Sequence, residues 1–215
     1  MAISGCLLFL FVIAHLLGNL QIFLGPDIVN RYGAFLQNAP EIIWPMRIGL
    51  LLLAVLHVAA AVKLTQENRA ARPKAYAAFQ PVGSSYASRT MMMSGLIVAA
   101  FIIYHLLHFT VQTPEINLTG ENFKTFHDEK GRHDIYRMMV SGFSRPVVSG
   151  FYIIAMGLLC MHLSHGVSSM FQSVGWKNKH YGKFLDKFAR VAGALIFLGY
   201  VSIPIAVLAG LLKLK

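Results

Sequence analysis

Histidines are set into four long apolar runs. His15 lies in Ala14-His15-Leu16-Leu17-Gly18-Asn19-Leu20-Gln21, with no acid or base within reach along its helix. Three later runs carry the same feature, at His57, at His105 with His108, and at His162 with His165, while a fifth carries none. An ionisable side chain inside a membrane span is costly and rare, so each one marks a functional hypothesis.

A span needs about 20 apolar residues at 1.5 Å rise. Five windows reach that length, at about 3–24, 46–64, 90–112, 147–171 and 191–212. Of the 215 residues only 13% are charged, against about 25% in an average soluble domain. The charges avoid the apolar windows. The chain reads as one all-α integral membrane domain over residues 1–215: a four-helix bundle built by the histidine-bearing spans, with a peripheral fifth helix. No internal repeat is evident. A signal peptide over the first window is disfavoured by the absence of a basic n-region and a cleavage site. Ile3-Ser4-Gly5-Cys6 resembles a lipoprotein box but lacks the preceding segment such a signal requires.

The formal net charge of +10 does not signal nucleic acid, because the bases sit in loops and form no stripe. Loop one (25–45) carries Arg31 against Asp27 and Glu41. Loop three (113–146) balances. Loops two (63–89) and four (172–190) each carry an excess of four positive charges. Lys and Arg near span ends mark the cytoplasmic side, which places the N-terminus inside and the C-terminus outside. Trp44 and Trp176 fall at interfacial depths. Within loop three, Asp134–Val140 reads as a short interfacial helix stopped at Ser141-Gly142.

With that orientation, depth follows from position. His15 and His105 lie at an outer level, His57 and His162 at an inner one. Two pairs at two depths fit two bis-histidine haems, which leave no open iron position and suit electron transfer. Ligation from only two helices is excluded: His105 and His108, like His162 and His165, are separated by a rise of only about 4.5 Å, too little for two macrocycles. His108 and His165 are left to bond a haem propionate, a quinone carbonyl or a backbone group. Gly18 and Asn19, one turn from His15, are packing and supporting candidates. A zinc or copper site finds no carboxylate or Cys–His cluster of suitable spacing. The alternative use of such histidines is as hydrogen-bonded residues of a haem-free transporter or anchor.

Further stretches carry a resemblance: His15-Leu16-Leu17-Gly18-Asn19, Leu56-His57, Asn68-Arg69-Ala70-Ala71-Arg72-Pro73, Tyr104-His105, Asp134-Ile135-Tyr136 through Gly142-Phe143 with Pro146, Gly150-Phe151-Tyr152, and Met161-His162-Leu163-Ser164-His165-Gly166. In this order the chain resembles the single-subunit, five-helix, di-haem cytochrome b anchors of succinate dehydrogenases and fumarate reductases. The resemblance implies His15 with His105 and His57 with His162 as axial ligands of two b haems. It also implies a bacterial inner membrane, a flavoprotein and an iron–sulfur subunit docked on the cytoplasmic face, and a membrane quinone, menaquinone in this branch. Arg69 and Arg72 are candidates for docking those subunits, with topology and lipid headgroups as the competing explanation. Gln21 and Glu41, with Asn19, are polar quinone candidates on the outer side.

Some members carry a Glu two residues before the fourth-span ligand. Here that position is Cys160, which favours succinate oxidation over fumarate reduction. Members also usually begin with a basic cytoplasmic segment, which this sequence lacks. Cytochrome b anchors of formate dehydrogenase, nitrate reductase or hydrogenase place paired histidines far apart on shared helices, and that distribution does not fit.

Overall fold

The computed structural model describes residues 1–71 and 89–214. Helix α1 (Ala2–Leu20) continues through a 3-10 turn (Gln21–Leu24) into α2 (Pro26–Gln37) and α3 (Pro40–Ala70). Helix α4 (Met91–His105) runs directly into a π-helical turn (Leu106–Thr110). After a 3-10 turn (Phe123–Thr125) come α5 (Ile135–Phe143), α6 (Pro146–Ser173) and α7 (Gly182–Leu208). Five of these stretches are long and apolar enough to cross a membrane, and no strand is formed among the described residues. The chain is therefore an all-α, multi-pass membrane protein. Closed backbone hydrogen bonding is what permits helices to cross hydrocarbon.

Helix ends follow local chemistry more closely than hydropathy. Helix α3 outruns its apolar window at both ends, starting on Pro40 with Glu41 in its first turn and carrying Arg69 in its last. Helix α7 starts nine residues before its window, because Gly182–Arg190 is charged but still helical. Pro is well suited to a first helical turn, and α2, α3 and α6 all begin with one.

The fifth span carries no histidine facing the pairs, yet it is firmly packed. It lies along α6 and α1. A Cβ on Gly193 would come 3.1 Å from the Cys160 carbonyl oxygen, and one on Gly199 would come 2.8 Å from Leu16. Small residues let membrane helices approach backbone to backbone, and the Tyr200 hydroxyl uses that approach to donate to the Val12 carbonyl at 2.8 Å. By contrast α3 has no buried residue, and Leu51, Leu52, Val55 and Leu56 on it are exposed.

Loops one and three form a cap over one end of the bundle. Loop one is largely helical: α2 packs on α5, a feature that the charge pattern of 25–45 does not announce. Helix α5 does form where expected, capped by the Asp134 carboxylate accepting from the Arg137 N–H at 2.9 Å. It differs from the expectation in two ways. It continues through Ser141-Gly142 to Phe143, and Met138 to Phe143 are all buried against the rest of the chain. Its covering is loop three itself, with Phe123 and Phe126 packed on Met138.

Candidate histidine centre between the helices

Each histidine pair anticipated from depth meets in space. The rings of His15 (α1) and His105 (α4) have centroids 5.8 Å apart at 82°. Those of His57 (α3) and His162 (α6) are 6.4 Å apart at 68°. All four rings are half-buried. The levels are separated along α1 and α4 by roughly ten residues, about 15 Å of helix.

The Nδ1 side of three of the rings is occupied. His57 Nδ1 lies 3.2 Å from Ser4 Oγ, His162 Nδ1 3.4 Å from Ser94 Oγ, and His105 Nδ1 3.4 Å from the Tyr152 hydroxyl. A partner on one ring nitrogen fixes the ring and leaves the other nitrogen for a metal. His15 is held differently, stacked on Phe11 at 5.3 Å. Among the described residues there is no group of three or more His, Cys, Asp or Glu able to hold a metal ion by themselves. The donor set is thus two imidazoles per level, which suits a metal whose remaining positions are filled by a macrocycle.

The doubled histidines go elsewhere. His108 is fully buried, set by the π-helical turn so that its Nδ1 lies 3.0 Å from the Tyr152 hydroxyl. Tyr152 therefore connects His108 to His105. His108 Nε2 is buried without a hydrogen-bond partner among the described residues. His165 lies one turn from Ser169, whose Oγ is 3.2 Å from its Nε2. The wider i→i+5 turns of π-helical segments are frequent at functional sites, but the sequence gives no periodicity from which this one could be read.

A cavity of about 150 Å³ opens beside His15, lined also by Gly18, Asn19, Tyr32, Leu36 and Ile135. Asn19 does not reach the His15 ring; its Nδ2 donates to the His15 carbonyl at 2.6 Å. Neither Gln21, in the 3-10 turn after α1, nor Glu41, exposed in the first turn of α3, lines this cavity. Tyr32 was not among the expected residues. It comes from α2, and its proximity to His15 depends on that helix folding back. Arg69 is exposed in the last turn of α3, and Arg72 lies outside the described residues.

Five apolar helices, four of them bringing half-buried histidines together as two pairs, define a multi-pass membrane protein with a candidate site between its helices. A family model described as succinate dehydrogenase/fumarate reductase transmembrane subunit matches residues 65–203. The chain belongs to that family. The match includes His105 and His162, while His15 and His57 precede it. Comparisons with curated proteins and with solved structures return no match.

Proposed function

We propose that this chain is the electron-transferring membrane anchor of a succinate:quinone oxidoreductase, with a haem b held by His15 and His105 and a second by His57 and His162. The observation that carries the reading is the meeting of four histidines from four spans as two facing pairs, in a chain of this family. A haem held between two of these imidazoles would supply one-electron transfer rather than oxygen chemistry. The residues of this chain supply the rest. Ser4, Ser94 and Tyr152 orient three of the rings, and the surrounding apolar helices exclude water. Two tiers about 15 Å apart along the helix axis form a route across the membrane.

On this reading the chain lies in a bacterial inner membrane with its N-terminus cytoplasmic. A quinone, menaquinone by family resemblance, is met at the capped face, where Asn19, Gln21 and Glu41 are the polar candidates. Succinate oxidation is favoured over fumarate reduction by Cys160 in place of a carboxylate. Purification of the native complex tests the reading. About two b haems per chain, from two ligands each, reducible by succinate, are expected. A colourless preparation, or haems that succinate fails to reduce, would overturn it.

The flavoprotein and iron–sulfur subunits dock on the opposite, basic face through loops two and four. Arg69→Glu with Arg72→Glu is expected to shift the soluble subunits from the membrane to the supernatant. Full retention on washed membranes would assign those arginines to topology and lipid contact instead.

A further inference from the structure

The His57–His162 level is built from a duplicated local unit. Met1-x-x-Ser4-Gly5 and then His15 lead into and along helix α1; Met91-x-x-Ser94-Gly95 and then His105 do so in helix α4, at identical spacing. In each helix the Ser-Gly step meets a histidine of the following span. Ser4 lies 3.2 Å from His57 Nδ1 and Ser94 lies 3.4 Å from His162 Nδ1. In each case the serine hydroxyl donates its proton to the carbonyl three residues earlier, Ser4 to Met1 at 3.0 Å and Ser94 to Met91 at 3.1 Å. The glycines complete the likeness. A Cβ on Gly5 would stand 3.3 Å from His57 Cε1, and one on Gly95 would stand 3.2 Å from His162 Cε1. The two halves, α1 with α3 and α4 with α6, thus use the same device twice.

We propose that Ser4-Gly5 and Ser94-Gly95 are matched seats that fix the tautomer and pose of His57 and His162. They are positioning residues for the metal-binding nitrogens of that level alone. This rests on the two-haem reading above. The logic is one of hydrogen-bond supply. A serine hydroxyl has one proton, and both serines spend it on a backbone carbonyl. With that proton on the carbonyl a lone pair faces the ring, and in the proposed seat Nδ1 carries the proton and donates it. Nε2 is then the unprotonated nitrogen on both rings. A donated Nδ1 proton raises the basicity of Nε2 as a ligand and favours the oxidised metal. Glycine at the next position lets the ring lie against the helix backbone, where a methyl group would push it away. The His15–His105 level has no such seat: it has Phe11 on one ring and Tyr152 on the other.

The test uses the purified complex. Ser4→Ala combined with Ser94→Ala is expected to move the reduction equilibrium of one haem about tenfold toward the reduced form, or about 59 mV for a one-electron couple, leaving the other haem in place. Ser4→Thr with Ser94→Thr restores the original equilibrium. Gly5→Ala or Gly95→Ala lowers the occupancy of the same haem, whereas Gly150→Ala, where a Cβ meets nothing within 4 Å, leaves both. Nitrogen-15 spectra of the histidines in the haem-depleted complex give a readout independent of haem, with Nδ1-protonated signals for His57 and His162 that change in the double alanine variant. Equal shifts of both haems, no shift of either, or Nε2-protonated rings at these positions would overturn the proposal. A complex without haem but with Nδ1-protonated His57 and His162 would sink the two-haem reading while leaving the seats intact.

Discussion

Replacing His105 with alanine is expected to leave about one haem per chain where the unsubstituted protein holds about two, the count that bis-histidine ligation gives. The surviving haem should be the one at the His57–His162 level. The argument is geometric. The His15 and His105 rings meet edge to face with centroids 5.8 Å apart, and no other imidazole shares that contact. His108 is the nearest by sequence, but its ring is packed among Phe109, Phe123 and Tyr152 and would have to leave that aromatic packing to face His15. Loss of even an outer-shell partner costs roughly 10–100-fold in affinity or activity, so loss of a ligand should lower succinate-driven quinone reduction by more than about 100-fold. His15→Ala should match it, and the His15→Ala/His105→Ala pair should be no worse than either alone, because groups that act as one unit are not additive. Difference spectra and haem quantification on the purified complex read all three. Two haems retained in His105→Ala would show that this histidine is a packing residue and that the ligand assignment is wrong.

The two tiers were legible in the sequence because helix geometry is fixed. Once an apolar run is taken as a span, rise per residue turns position into depth, and four histidines sort themselves into two levels. The structure pairs them accordingly. The Ser-Gly seats were not legible. Ser4-Gly5 and Ser94-Gly95 are ordinary small-residue steps until α3 and α6 bring a ring to each, and a repeat of so few positions is hidden among unlike neighbours. Helix α2 escaped for another reason. By the charges of Asp27, Arg31 and Glu41, residues 25–45 read as a polar connection. Its helical stripe, with Val29, Asn30 and Gly33 buried, includes a polar residue, so hydropathy does not reveal it. The burial of α5 was likewise unreadable, since the loop that covers it contributes Phe123 and Phe126 from a stretch without periodicity.

Asn30→Ala is expected to destabilise the cap by about 2–3 kcal/mol, the cost of removing several buried hydrogen bonds at about 1 kcal/mol each. Asn30 is 1% exposed and joins loop one to loop three. Its Nδ2 donates to Asp134 at 3.0 Å and toward Asp128 at 3.4 Å, and its Oδ1 accepts the Tyr136 N–H at 2.9 Å. The neighbouring charges close the same joint. Arg132 bridges Asp27 at 2.8 Å and Asp128 at 2.6 Å, and Lys130 reaches Asp27 at 2.7 Å. Hydrogen bonds from Lys130 and Arg132 lower the Asp27 pKa to about 2. A carboxyl group whose folded pKa is depressed contributes its full stability above its unfolded value, near 4, and loses it as pH falls through the folded value. The joint should therefore hold at pH 5 and loosen between about pH 4 and pH 2. Asn30→Asp gives the sharper contrast. It sets a third carboxylate against Asp128 and Asp134 and removes the donor they share, so the cap should open more readily at pH 8 than in Asn30→Ala, and partly recover at pH 5 as the new group takes up a proton. Thermal unfolding and limited proteolysis within residues 113–134 of the purified protein measure both. Since Tyr32 of α2 helps line the cavity beside His15, an opened cap should also expose the His15–His105 level while sparing His57 and His162. Unchanged protease resistance in both variants would mean that α2 is held by apolar packing on α5 alone.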